Sequence, residues 1–467
     1  MLEIGGVIAV LIILILSAKN WKYSVLATLV LVVIEGALRK WVLPQASQLI
    51  YFLKDIILIG AYYRFFLASS IPHFIPKIDS ILKFFLGLSF GVCVVQAFSP
   101  SLGSPLIGLL GLKNYFLYVP LIWIVPALFE SEDELKDYLG QFLLLLVPVG
   151  CLAIAQFFSP IDSPLNVYAW QEDTPYIALG GDNSSVRVTG TFSYIAGYSV
   201  FLSFCLCLLL PKLAEQTTGK QRYINIVQFS LIAITGFMTG ARGFILFSIL
   251  QIIAFLLLQG FSAFSHFFLT LKRFFLPGVV AVIVVMWRFQ SAVNSLVLRF
   301  TQNSDLSGRI FDFSEVFRNF QLKGFDGFGT GATFQGNIFL ERLFNLPPGE
   351  AIPVYFEGEM GRIALELGPI GFFLWYGTKL LLLLLLWQTY HNLNRSYLRN
   401  LALSIFLYQL ITFPGQLVFN QTANLFQWFL YGFIYLLPKL DSPIPSTQQS
   451  EPLHHELPTP FPRSSHQ

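Results

Sequence analysis

The chain has 467 residues, of which 55% are hydrophobic and only 12% are charged, with a mean hydropathy of +0.65. Soluble globular domains carry about a quarter charged residues, so the composition excludes a water-soluble domain. The net charge of +3 comes without a basic run that could track phosphates, so we expect no nucleic-acid partner.

Hydrophobic runs recur along most of the chain. Because lipid offers the backbone no hydrogen-bond partner, each run that enters the bilayer must be a helix, and crossing takes about 20 apolar residues. The sequence therefore predicts an all-α, polytopic transmembrane bundle of twelve or thirteen helices, depending on whether the first run lies flat at the interface. The runs are 4–18, 23–38, 49–68, 82–98, 112–129, 138–158, 190–211, 223–239, 242–260, 274–290, 359–387, 398–413 and 421–437.

Lys and Arg are unequally divided between alternate loops, which predicts the orientation because short cytoplasmic loops are enriched in both. One set of loops, with the C-terminus, carries Lys19, Lys22, Arg64, Lys77, Lys83, Lys136, Lys212, Lys220, Arg222, Lys272, Arg273, Arg395, Arg399 and Lys439. The opposite set carries Arg39, Lys40, Lys113, Arg187 and Arg242. We therefore expect a cytoplasmic C-terminus, with Arg39 and Lys40 on the side that this rule disfavours.

The orientation places two long loops, about 159–189 and 288–358, outside the cytoplasm. Within the second, Ile310–Phe320 has the pattern of a short amphipathic helix, which we expect to lie along the membrane surface. Residues 1–437 form one predicted transmembrane domain, and the Pro-, Ser- and Gln-rich segment 438–467 is expected to be a disordered cytoplasmic tail.

Two arginines at predicted outer helix ends are the first candidate binding residues. Arg187 opens the segment RVTGTF and Arg242 lies in TGARG, both rich in Gly or Thr. A guanidinium can hold a phosphate with two hydrogen bonds, so the pair could bind a pyrophosphate. The alternative is that both are anchors at the level of the lipid headgroups.

The segment EGEMGR, followed by ELGPIG, supplies the candidate catalytic carboxylates. On a helix that begins at Glu359, the side chains of Glu359, Arg362 and Glu366 share one face and could form a stabilising ladder. Glu357 precedes that ladder and is the better candidate for a general base, with Glu359 as second choice.

A glycine-rich segment, GFDGFGTG (324–331), follows Ser307-Gly308-Arg309 in the second long loop. No GK[ST] sequence follows it, so it is not a phosphate-binding P-loop. We expect its glycines to let the loop fold tightly onto the helices. Arg309 is a possible third anionic contact, with an ordinary surface charge as the alternative.

The remaining polar residues in apolar runs predict little chemistry. Lys54 and Asp55 are adjacent and could be a proton-coupling pair, but they point about 100° apart on a helix, so a direct contact is not expected. Lys113 and Lys379 have the positions of side chains that extend from helix ends to the interface. The cysteines lie in apolar runs and no histidine is on the predicted outer side, so we expect no metal site.

Five segments occur in the order found in bacterial O-antigen ligases and O-antigen polymerases, and the chain resembles that family over about residues 110–380. They are the segment from Arg187 to Phe192, the segment TGARG with Arg242, Ser307-Gly308-Arg309, GFGTGATF (327–334), and the helix that opens with ELGPIG (366–371).

The resemblance implies a membrane glycosyltransferase with a GT-C-type fold and a large extracytoplasmic loop. Such enzymes transfer or polymerise a glycan from an undecaprenyl-pyrophosphate carrier, on the outer face of the bacterial inner membrane, to a glycan or lipid acceptor. They need no metal or nucleotide cofactor. The family's paired arginines, thought to hold the pyrophosphate, correspond here to Arg187 and Arg242.

One position departs from the family's ligases, which carry a His just before the last helix. Glu357 stands in its place. A polymerase, or a ligase with a carboxylate base, is therefore the better prediction. Two other classes stay open: a transporter or flippase for a polysaccharide or lipid-linked sugar, and a non-catalytic membrane component of a polysaccharide assembly complex.

Overall fold

The computed structural model of the chain describes residues 2–68, 79–169, 186–215, 219–262, 313–356, 358–415 and 417–442. Within these ranges the regular elements are helices. The α-helices are α1 (Leu2–Lys19), α2 (Trp21–Ala37), α3 (Ser47–Phe66), α4 (Ser80–Ala97), α5 (Pro105–Phe116), α6 (Leu121–Ile124), α7 (Glu132–Leu144), α8 (Leu146–Phe158), α9 (Ile195–Ala214), α10 (Gly219–Met238), α11 (Arg242–Ser262), α12 (Phe313–Lys323), α13 (Asn337–Phe344), α14 (Glu359–Asn392), α15 (Ser396–Ile411), α16 (Gln421–Tyr431) and α17 (Phe433–Asp441).

Six helical stretches of the described chain are long and apolar enough to cross a membrane. They are Ser80–Ala97, Pro105–Ala127, Glu132–Phe158, Ile195–Ala214, Arg242–Gln259 and Glu359–Asn392. The chain is thus a helical, multi-pass membrane protein. Each predicted hydrophobic run within the described residues overlaps a helix, although the run 190–211 is helical only from Ile195, and the run 274–290 lies outside the described residues.

Three predicted runs are broken in the structure. The run 112–129 begins earlier, at Pro105, and is interrupted before α6, where Pro120 lacks the N–H that a continuous helix would need. The run 138–158 is divided at Leu145 into α7 and α8. The last run is divided at Gly432, where a Cβ atom would lie 2.5 Å from Cβ of Val125, and it continues to Asp441 instead of ending at 437.

Helix α9 lies at the centre of the bundle, with 67% of its membrane-spanning window buried. It packs against α15 and α10, while α14 packs against α4 and α15. The ring of Phe204 in α9 stacks on that of Phe426 in α16, with centroids 4.2 Å apart. Ring contacts of this kind add to the burial energy of the core.

Helix α14 breaks at Gly368, whose φ of +65° and ψ of −174° are not helical. Pro369 has no N–H, so the carbonyl of Leu365 loses its partner within the helix, and the break also frees the carbonyl of Glu366. The glycine-rich loop replaces both partners: Phe328 N donates to Leu365 O at 2.7 Å, and Gly329 N donates to Glu366 O at 3.1 Å. The expected tight fold of this loop is confirmed.

The second long loop contains an α-helix where the sequence predicts an amphipathic one, so that prediction is confirmed. It is described from Phe313 to Lys323, so it extends beyond the expected end at Phe320, and residues 310–312 lie outside the described ranges. Its buried face packs on α14: Val316 is 2% exposed, and the ring of Phe320 lies 5.5 Å from that of Phe372. The helix is therefore held by the bundle, and Phe317 remains exposed.

The end of the bundle that carries the predicted cytoplasmic loops is tied together by ion pairs. Lys136 lies 3.0 Å from Glu132 and 2.9 Å from Glu215, and Arg395 lies 3.3 Å from Glu132. Loops that the sequence assigns to one side therefore meet at one end of the structure.

The close contact of the glycine-rich loop predicts the effect of adding a methyl group. A Cβ atom on Gly327 would lie 2.0 Å from the carbonyl oxygen of Glu366. We expect Gly327→Ala to reduce the free energy of unfolding by about 2 kcal/mol, as measured by chemical unfolding in detergent micelles. Gly91→Ala is the matched control, because a Cβ atom there meets nothing within 4 Å; equal stability of the two variants would contradict the prediction.

Candidate functional site

A cavity of about 850 Å³, which we call the end cavity, opens among helix ends opposite the ion pairs of Lys136. Its wall comes from the end of α2, the start of α3, the start of α9, the segment 334–340, the start of α14 and the turn before α16. Aromatic side chains cover much of this wall: Tyr51, Phe52, Tyr168, Phe192, Tyr194, Phe334, Tyr355, Phe356 and Phe419. Such cavities, apolar with a few placed polar groups, are typical ligand sites.

Three of the charged side chains in the wall belong to α2, the turn after it, and α3. Glu35 lies 2.8 Å from Nζ of Lys54 and 3.7 Å from Nη1 of Arg39, one helical turn away. All three residues are buried. Charges buried in an apolar bundle are costly and are retained where they pair or act. The Glu35 carboxylate is therefore the shared counter-charge of Arg39 and Lys54.

Arg39 and Lys40 also fix the turn that enters α9. Nη1 of Arg39 donates to Ser193 Oγ at 3.0 Å, and Nζ of Lys40 donates to Gly190 O at 2.8 Å and to Thr189 Oγ1 at 3.0 Å. Both side chains are therefore buried inside the protein at the end where the sequence placed them. Their partners explain why they depart from the loop-charge rule, which concerns charges in exposed loops.

Arg362 is held from one side. Its Nε donates to Thr333 Oγ1 at 3.0 Å and its Nη2 donates to the carbonyl of the same residue. The guanidinium carbon lies 3.6 Å from the ring centre of Phe419, so the cation stacks on an aromatic face.

Glu359, the second-choice base, lines the end cavity. Its Oε2 accepts hydrogen bonds from the backbone N–H groups of Leu417 and Val418, and its Oε1 lies 3.5 Å from Nζ of Lys379. Oε1 has no hydrogen-bond partner among the described residues. The carboxylate therefore fixes the turn before α16 with one oxygen and forms an ion pair with Lys379 through the other.

The ladder expected of Glu359, Arg362 and Glu366 does not form by mutual hydrogen bonds. Glu366 instead accepts from the N–H and hydroxyl of Thr333 at 2.9 and 2.7 Å, and from the hydroxyl of Tyr115 at 2.9 Å. Glu359 thus bonds to the turn before α16, whereas Arg362 and Glu366 both bond to Thr333, which follows the glycine-rich loop that approaches at the helix break.

Arg187 and Arg242 are brought into one region. Nε of Arg187 donates to Thr239 O at 2.8 Å, in the turn that leads to Arg242, and Val188 N donates to Met238 O at 3.3 Å. Neither arginine lines the end cavity, but Tyr168, which does, donates to the backbone carbonyl of Arg187 at 2.7 Å. The structure thus brings the segments of Arg187 and Arg242 together without placing either residue in the cavity wall, and their predicted role stays a prediction.

Two further predicted site residues, Glu357 and Arg309, lie outside the described residues. Glu357 is flanked by Phe356 and Gly358, both of which line the end cavity. Its predicted role as a base, and that of Arg309 as an anionic contact, stay predictions.

The expectation that Lys113 and Lys379 extend to the interface is wrong. Lys113 lies 2.7 Å from Asp55, which also accepts from the hydroxyl of Tyr118, and Lys379 donates to Phe413 O at 2.6 Å. Both lysines have carboxylate partners inside the bundle, so their side chains do not extend to the interface.

The expectation that Lys54 and Asp55 do not pair directly is confirmed, since each pairs with a residue of a different helix.

The sequence pattern predicts no site role for Glu35, Arg39 or Arg362, and for Lys54 it indicates only the proton-coupling pair with Asp55. A signal was present for two of them, because Glu35 and Lys54 are charges within apolar runs. That signal marks such residues as unusual but does not reveal their partners, which come from other helices.

No protein-family model matches this chain, and no curated protein sequence is significantly similar to it. The resemblance to O-antigen ligases and polymerases therefore depends on the five short segments alone.

The pair of Asp55 and Lys113 gives a test of the buried charges. Asp55→Asn leaves the Lys113 ammonium without its counter-charge, and we expect the free energy of unfolding to fall by about 3 kcal/mol. Replacing Lys113 by Met in the same chain should recover part of this loss, as a double-mutant cycle measures. Glu130→Gln, in the exposed pair with Lys22, is the control and should leave the unfolding curve unchanged. A loss no larger for Asp55→Asn than for that control would contradict the burial argument.

Proposed function

We propose that this protein is a membrane glycosyltransferase that moves or polymerises a glycan from an undecaprenyl-pyrophosphate carrier during surface polysaccharide synthesis. The observation that carries the proposal is the end cavity, whose wall combines guanidinium groups, carboxylates and many aromatic rings. A diphosphate needs cations, an acceptor hydroxyl needs a base, and sugar rings need flat apolar surfaces.

The position of the cavity also supports this proposal. It lies at helix ends and not midway along the bundle, so a carrier lipid could keep its chain in the membrane while its headgroup enters. The segments that contain Arg187, Gly327–Phe334 and Glu366, which resemble the family's motifs, all lie at the end of the bundle that has the cavity. In the proposal that end is the extracytoplasmic face of the bacterial inner membrane, and the bundle is of the GT-C type.

The proposed reaction is an inverting transfer without a metal. The acceptor oxygen attacks the anomeric carbon, the bond from that carbon to the carrier diphosphate breaks, and the carrier diphosphate leaves with the electron pair. Glu357 or Glu359 takes the acceptor proton. Arg187 and Arg242 stabilise the charge that develops on the leaving diphosphate, as preplaced donors do. The acceptor is a glycan or a lipid.

Arg242 tests the predicted donor contacts. In a deletion strain complemented with Arg242→Ala, we expect surface glycan elongation to fall by about a hundredfold or more, because one donor to the leaving group is lost. The measurement is the chain-length distribution of the surface polysaccharide, at equal protein level. Arg342→Gln, an exposed arginine in α13, is the matched control. Elongation at the wild-type rate in Arg242→Ala would remove this residue from the mechanism.

Glu357 and Glu359 are tested in the same assay. The Gln variant of the true base should slow transfer by about 10²–10⁴-fold without weakening donor binding. Glu359→Gln keeps one carbonyl oxygen for the N–H groups of Leu417 and Val418 but loses the charge that pairs with Lys379, so its unfolding temperature must be measured alongside. Unchanged rates in both variants would mean that neither carboxylate takes the proton.

A transporter for a lipid-linked sugar is the second candidate, and the buried ion pairs of α3 favour it because such pairs can couple movement to protons. The two functions differ in their product. Purified protein in vesicles with a lipid-linked donor either lengthens the glycan or moves the donor across the bilayer unchanged.

A further inference from the structure

Arg362 is built as an anion-binding group. The residue is 5% exposed, two of its three nitrogens donate to Thr333, and its flat face lies on Phe419. The third nitrogen, Nη1, makes no hydrogen bond to any described residue, and Arg362 lines the end cavity. A guanidinium fixed on one edge and one face has its other edge available for a ligand.

The orientation of Arg362 is set by a chain of hydrogen bonds that begins at the helix break. A hydroxyl has one proton and two lone pairs. That of Thr333 gives its proton to Glu366 Oε1 at 2.7 Å, so it must accept from Arg362 Nε at 3.0 Å. Glu366 is itself fixed by the hydroxyl of Tyr115. Thr333 and Glu366 are thus positioning residues for a rigid donor.

The charges of the cavity wall favour an anionic ligand. Arg39, Lys54 and Arg362 stand against Glu35 and Glu359, and Glu359 is already paired with Lys379. Among the described residues the wall therefore carries more positive than negative charge. A surplus of buried cations is costly unless an anion compensates it.

We propose that Arg362, with Arg39 as a second cation in the same wall, binds the diphosphate of the lipid-linked donor inside the end cavity. This inference rests on the proposed function for the identity of the donor, and on the wall itself for the binding of a diphosphate. It adds ligands to the predicted pair of Arg187 and Arg242, which do not line the cavity.

The test measures binding to the purified full-length chain by titration calorimetry at fixed ionic strength, first with inorganic pyrophosphate and then with undecaprenyl diphosphate. Arg362→Gln should raise the Kd for pyrophosphate at least tenfold, and Thr333→Val should raise it several-fold, because the guanidinium loses its orientation. Arg318→Gln, an exposed arginine of α12, is the matched control and should bind as the wild type does. Undecaprenyl diphosphate should bind at least tenfold more tightly than pyrophosphate.

Four results would overturn the proposal: no binding of pyrophosphate to the wild type, wild-type binding by Arg362→Gln, an equal loss in Arg318→Gln, or no tighter binding of the lipid-linked form. If Arg362→Gln does not fold, Arg362→Lys keeps the charge and should still lose binding, since an ammonium is not a planar group that can bond to Thr333 on one edge and to a phosphate on the other; wild-type binding by that variant would also contradict the proposal.

The same proteins separate this inference from the proposed function. If the wild type transfers glycan and Arg362→Gln binds pyrophosphate as well as the wild type does, the proposed binding site is contradicted and the proposed enzyme activity is not. Binding that depends on Arg362, with no glycan product from the wild type, supports the site and overturns the transferase.

Discussion

The break of α14 at Gly368 is the constraint on which the rest of this structure depends. A helix interrupted in an apolar environment leaves carbonyl groups that must find donors, because the surroundings supply none. Here the donors are backbone N–H groups of the glycine-rich loop, at Phe328 and Gly329. The position of this loop places Thr333 beside Glu366 and Arg362. It also brings Thr330 into hydrogen-bond contact with α4, while Tyr115 of α5 donates to Glu366.

A second consequence of the apolar surroundings is the way in which charges are distributed. Lys54, Lys113 and Lys379 each lie beside a carboxylate from another part of the chain. The partners join α2 to α3, α3 to α5, and the first turn of α14 to its middle. Such pairs contribute less to stability than to the choice of one arrangement of helices, because any other packing would leave charges unpaired. The end cavity lies where this pairing is incomplete.

Much of the helical framework could be predicted from the sequence, because a long apolar run in lipid must be helical to satisfy its backbone hydrogen bonds. The close approach of the glycine-rich loop was also predictable from its composition. The residues of the site were harder to predict from the sequence. Lys113 has the sequence context of a headgroup anchor, and nothing local reveals that Asp55, 58 residues away, faces it. Likewise Arg187 and Arg362 are both arginines near glycines, and only the arrangement of the helices in space shows that Arg362 lines the cavity and Arg187 does not.

The end cavity is bordered by segments that are far apart in the sequence: Glu35 and Arg39 near the beginning of the chain, and residues 414–422 near its end. Because a polypeptide is synthesised from its N-terminus, this pocket stays an open cleft until the final helices have entered the bilayer. A partly translated chain therefore cannot enclose a ligand there. A chain that ends just before α16 lacks one side of the cavity wall.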